Sequence, residues 1–116
     1  MKMESVDLGP RLVKITLAGR LDPPGVDSIE TRFIATLVPN ANNAVIDMSQ
    51  VDFISSMGIR MLVSAARSLK MRQAALSLFG VQEQVNQVLE LVSIGQMIRV
   101  CESEREAQTA VSPSAA

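Results

Sequence analysis

The chain has 116 residues, 47% of them hydrophobic and 20% charged, enough for one domain with a real core and too few for two ordinary domains. Eleven Lys plus Arg against twelve Asp plus Glu give a net charge of −1, which argues against a general affinity for nucleic acid or an anionic membrane surface. There is no His, Trp or Tyr and only one Cys, so Ser-His-Asp and Cys-His catalysis, His-dependent zinc sites and an intrachain disulfide are all excluded within this chain.

In chain order, the first segment reads as two short strands. Met3, Ser5 and Asp7 alternate with Glu4, Val6 and Leu8. Gly9-Pro10 marks a turn, and Val13, Ile15 and Leu17 then alternate with Lys14 and Thr16. Such alternation predicts an edge hairpin with one buried and one exposed face. Pro23-Pro24-Gly25 stops the second strand, and Asp22 or Asp27 starts a helix whose apolar positions are Val26, Ile29, Phe33 and Leu37, widened by Ile34 and Val38. Pro39-Asn40 ends it.

Ala44 to Met48 reads as a short interior strand. Past Ser49-Gln50 and Val51 to Ile54, a second helix shows Ile59, Leu62, Val63, Ala66 and Leu69 on one face, with Arg60, Ser64 and Arg67 opposite. Ala74 to Phe79 is a strand closed by Gly80. A third helix follows with Val85, Val88, Leu89 and Val92, then a last strand over Met97 to Val100. Ser103 caps a polar final helix to Thr109. Strands alternating with helices after an antiparallel start predict an α/β domain with a small mixed sheet. The domain is expected over residues 1–110, with a disordered tail over 111–116. No stretch approaches the roughly 20 apolar residues of a membrane span, and Met1 to Ser5 does not open a signal peptide. A lone Cys101 also fits a reducing compartment, so the expected location is cytoplasmic.

Ser55-Ser56 falls where an interior strand ends and a helix begins, the place where open α/β sheets put their ligands. Ser is a favoured helix N-cap and Gly58 permits close packing of the first turn, which by itself accounts for both residues. The same geometry suits a phosphorylation switch: a phosphate there meets free N–H groups and the positive end of the helix dipole. It adds ~1.5–2 negative charges without unfolding the helix.

At these residues the chain resembles a known family. Gly19-Arg20-Leu21-Asp22 is similar to the Gly-x-Leu-Asp turn of STAS domains. Val45-Ile46-Asp47-Met48, followed by Val51-Asp52-Phe53-Ile54-Ser55-Ser56-Met57-Gly58-Ile59, resembles the signature of bacterial anti-sigma factor antagonists. The likeness continues through Leu76 to Gly80, Val85 to Val92 and Ile94. It implies the STAS fold and a partner-switching role without catalysis or a cofactor. The unphosphorylated protein would bind an anti-sigma factor that is also a serine kinase of the GHKL type, releasing the sigma factor. Phosphorylation would end the complex, and a metal-dependent serine phosphatase of the PP2C type would restore it. By position the implied acceptor is Ser56, with Ser55 the alternative, and the implied partner surface is Asp22, Ser55, Ser56, Met57, Gly58 and Arg60. Two positions depart from the family pattern. Ser55 stands where Asp is usual, and Met57 where a small residue is usual.

Other readings compete. Asp22, Asp47 and Asp52 suggest a carboxylate cluster, but a turn, a strand end and a solvated position account for them, and no metal is expected. Arg60, Arg67, Lys70 and Arg72 form a basic stretch from Phe53 to Gln82 that holds no acid; such a stretch is usually a solvated face, or here a surface for an acidic partner. Cys101 reads as a small apolar filler. A flavodoxin-like nucleotide site at the serine junction is disfavoured by having three Phe as the only aromatics and no Gly-x-x-x-x-Gly-Lys loop. A STAS subunit of a lipid-transport complex is the remaining alternative. Neither nucleic acid nor membrane is expected as a partner.

Overall fold

The computed structural model describes residues 1–112. Five strands form one sheet in the order β1-β2-β3-β4-β5, where β1 is Lys2–Gly9, β2 Leu12–Leu21, β3 Asn43–Ile54, β4 Leu76–Phe79 and β5 Arg99–Cys101. β1 and β2 form the expected antiparallel hairpin, and all later neighbours pair parallel. Between the parallel strands lie α1 (Pro23–Leu37), α2 (Ser56–Lys70) and α3 (Glu83–Leu91), the last followed by a 3₁₀ turn at Ile94–Gln96; α4 (Glu104–Val111) closes the fold. This is the mixed α/β architecture that the alternation of elements predicts.

The placement of the helices follows from connection handedness. The sheet grows in one direction, so each right-handed crossover lands on the same face. Val13, Ile15 and Leu17 of β2, Ala44 and Ile46 of β3, and Leu78 of β4 therefore share one core with Val26, Ile29 and Phe33 of α1, Met61 and Leu62 of α2, and Val85 and Leu89 of α3. The other face is left to α4, whose Ala107 and Val111 pack with Val45, Phe79 and Cys101. α4 is tied down by Lys14, which donates to Glu104 at 2.7 Å, and by the buried Ser77 Oγ, which donates to the Ala107 carbonyl at 2.9 Å.

Several boundaries differ from the expectation, each for a tertiary reason. β3 runs to Ile54 rather than stopping at Met48, because the ladder with β2 continues and two register shifts, at Thr16/Ala18 and Gly19/Arg20, absorb the irregularity. Asp47 is thus interior to β3, at the level where β4 ends, and its carboxylate accepts the Ser49 N–H at 2.9 Å. The buried stripe of α2 is Met61, Leu62, Ala65 and Leu69, while Ile59, Val63 and Ala66 are half-buried; the stripe is rotated toward Met61. β1 buries only Met3, because it lies beyond most of the helical layer and leaves Val6 57% exposed. α4 extends to Val111, whose side chain is buried, so the folded unit passes the expected boundary at residue 110. Residues 113–116 of the expected tail lie outside the described residues.

Candidate functional site

β2 and β3 are parallel neighbours, so α1 and α2 start side by side at the carboxyl edge of the sheet. Both helices begin with a side-chain cap. Asp22 has extended backbone and its Oδ1 accepts the Gly25 N–H at 2.8 Å; Pro23 and Pro24 then occupy positions that need no N–H partner. Of the two expected starters it is Asp22, not Asp27, that caps α1. Ser55 does the same for α2. Its Oγ accepts the Gly58 N–H at 3.3 Å and donates to the Leu21 carbonyl at 2.8 Å, which also receives the Ser55 N–H at 2.9 Å. The Ser55 hydroxyl is therefore engaged as donor and as acceptor, and it ties the start of α2 to the end of β2.

Ser56 is the first residue of α2 and is exposed. The N–H groups of Ser56 and Met57 lie in the first turn, where an α-helix offers no intrahelical acceptor. A phosphoryl group on Ser56 would sit at the positive end of the helix dipole among these donors. Met57 is half-buried and packs on the main core, so only part of it faces solvent, whereas Arg60 on the next turn is exposed.

Two glycines permit this geometry. A Cβ on Gly58 would stand 2.9 Å from Ile54 Cγ1 and 3.0 Å from the Leu21 carbonyl oxygen; one on Gly25 would stand 2.1 Å from the Arg20 carbonyl oxygen. Only a glycine lets either helix start this close to β2. Asp22 at one helix start and Ser55, Ser56, Met57 and Arg60 at the next thus fall together, whereas Gly58, expected as a partner contact, is buried beneath them against Leu21 and Ile54 and shapes the helix start instead.

Sequence reasoning missed Arg20 and Phe53 as site residues. The Arg20 guanidinium lies 4.2 Å from the centroid of the Phe53 ring, and its Nε is 3.4 Å from Asp22 Oδ2. The stack joins the ends of β2 and β3 directly beside the caps. An exposed aromatic just before the serines was the available signal. A shallow depression of about 410 Å³ lies alongside, lined by Met1, Arg20, Asp22, Pro24, Gly25 and Ser28.

The carboxylates do not converge. Asp22 and Asp47 each cap a backbone N–H and Asp52 is exposed. Among the described residues, no group of three or more His, Cys, Asp or Glu side chains is placed to hold a metal ion. Cys101 is buried against α4, and that burial pushes its thiol above the usual value, opposed by nearby Arg99. No helix among the described residues is long and apolar enough to cross a membrane.

The comparisons with known proteins bear on the family and the fold. The chain is 26% identical over 94 residues to the anti-sigma-B factor antagonist of Listeria monocytogenes serovar 1/2a, covering 81% of this chain and 82% of that protein. Its structure is similar to an anti-sigma factor antagonist from Mycobacterium paratuberculosis, with a TM-score of 0.82 at 19% identity over 95% of this chain and 92% of that one. It is also similar to the anti-sigma factor antagonist SpoIIAA in its unphosphorylated form, with a TM-score of 0.78 at 17% identity, covering 94% and 96%. The phosphorylated form of SpoIIAA gives 0.70 at 19% identity, covering 94% and 98%. The sequence matches the STAS domain family over residues 5–107, and the chain belongs to that family.

Proposed function

We propose that this STAS domain is an anti-sigma factor antagonist switched by phosphorylation of Ser56. In the unmodified state it binds an anti-sigma factor that is also a serine kinase of the GHKL type. Phosphorylation weakens the complex, and a serine phosphatase of the PP2C type reverses it. The patch of Asp22, Ser55, Ser56, Met57 and Arg60 is the contact surface, with buried Gly58 supporting it from below. The observation that carries the reading is the division of labour between adjacent serines. Ser55 has its hydroxyl engaged twice, whereas Ser56 is exposed one residue on. Similarity to antagonists, one of them solved in both phosphorylation states, supports it.

The switch acts locally. A phosphate at the start of α2 is favoured by the dipole, so it changes the partner-facing charge and bulk and leaves the fold intact. The test is incubation with an anti-sigma serine kinase, phosphopeptide mapping, and titration of wild type against Ser56→Asp. Modification is expected on Ser56, with weaker binding by the aspartate variant, although one carboxylate imitates a phosphate only in part. Modification of Ser55 alone, or equal affinity of the two proteins, refutes the switch. A STAS subunit of a transport complex would need no acceptor, so wild type that the kinase neither binds nor modifies at any serine would favour that reading.

A further inference from the structure

Two surface features are complementary and unexplained by the Ser56 patch. A groove of about 690 Å³ opens between α3, the 3₁₀ turn and β5; its apolar lining includes Val81, Ile94 and Val100, and Glu90 and Glu102 line it with no base among its lining residues. Of these lining residues Val100 is exposed, and Leu91 at the end of α3 and Met97 after the 3₁₀ turn are exposed as well. Arg99, the nearest base in the chain, instead lines a separate depression with Arg105 beside α4.

The counterpart lies at the end of α2. α2 runs back across the sheet from the carboxyl end of β3 to the start of β4, and ends at Lys70. Met71, which caps it, is 88% exposed. Exposed Arg67, Lys70 and Arg72 surround it, in a stretch from Phe53 to Gln82 without one acidic residue. Exposed apolar side chains grouped and rimmed by charge mark interaction surfaces more often than chance.

We infer that copies of this chain associate head to tail, the Met71 tip of α2 on one copy seating in the acidic groove between α3 and β5 of the next. Charge selects this occupant. Groove against groove opposes carboxylates, tip against tip opposes bases, and only tip against groove pairs opposite signs. The two features are different patches of one chain, so each tip-to-groove contact is heterologous. With so few side chains on either side, the association is weak and sensitive to salt.

Sedimentation of the full chain tests this, and it reads mass alone, so it stands or falls apart from the Ser56 switch. Wild type is expected to gain average mass with concentration at low salt and to return to monomer at high salt. Met71→Asp keeps a groove and Val100→Asp, which changes the groove lining, keeps a tip, so each alone is expected to be monomeric. Their equimolar mixture is expected to form a pair and nothing larger. Wild type that stays monomeric at low salt overturns the inference, as does either variant assembling like wild type, or a mixture that does not pair. If an aspartate variant melts early, Arg72→Glu and Glu102→Lys replace the two. Their mixture is expected to associate more than either alone, and equal association overturns the proposal.

Discussion

Ser55 and Ser56 are chemically identical and differ only in where the helix places them. Ser55 Oγ joins the Gly58 N–H to the Leu21 carbonyl, so replacing it removes a helix cap and a link to the neighbouring strand. Loss of a serine cap costs about 1 kcal/mol, and the strand contact adds to that. Exposed Ser56 lies outside this network, and its removal is expected to cost less than about 0.5 kcal/mol. Thermal melts of Ser55→Ala and Ser56→Ala are therefore expected to separate by several degrees, with Ser55→Ala the lower. Coincident melts would show that the cap carries little of the stability. The serine junction was legible in the sequence because cap preference and strand–helix punctuation are local. The Leu21 carbonyl was not, because it lies 34 positions away and is brought there only by parallel pairing of β2 with β3.

α4 is held to the sheet by polar as well as apolar contacts. It covers Val45, Phe79 and Cys101 on a face that no crossover helix reaches, and Lys14 reaches Glu104 from β2. Hydrogen bonding to Glu104 raises the Lys14 ammonium above its ordinary value of 10.5, burial opposes that, and the charges of Glu104 and Asp47 add to it. A raised value in the folded state means that the contribution is fully present below the unfolded lysine value and is lost as pH rises through the folded one. Both side chains are about one-third exposed, so the pair is worth well under 1 kcal/mol. Wild type is expected to melt slightly above Lys14→Met at neutral pH, with the difference closing above pH 10.5. A difference that persists at higher pH would assign the effect to packing of the lysine stem on Phe79, over whose ring the ammonium sits at 5.8 Å.

At the scale of the whole molecule, the sheet is unevenly supported. β3 is buried between α-helical layers and pairs on both sides, whereas β1 is an edge strand with only Met3 buried. Arg32 of α1 donates to the Met3 carbonyl and so covers one backbone acceptor of β1. Amide exchange of the native protein is expected to be fastest among the strands in β1 beyond Met3, from Glu4 to Gly9, and slowest over Ala44 to Met48. Comparable protection in β1 and β3 would mean that the open half of the second face is covered in solution.

The sequence by itself determined the order and type of the elements, the mixed sheet, the capping residues and the serine junction. Each of these depends on neighbours within a few positions: alternation, helical spacing, Pro-Pro after Asp22, Gly58 after the serines. The tertiary structure alone decided how far β3 runs, which side of α2 is buried, and that Arg20 stacks on Phe53. It also decided that Val111 belongs to the core. Those outcomes depend on partners far along the chain. A strand ends where its neighbour's hydrogen bonds end, and a helix with Met61 and Val63 on adjoining faces turns toward whichever side the sheet presents.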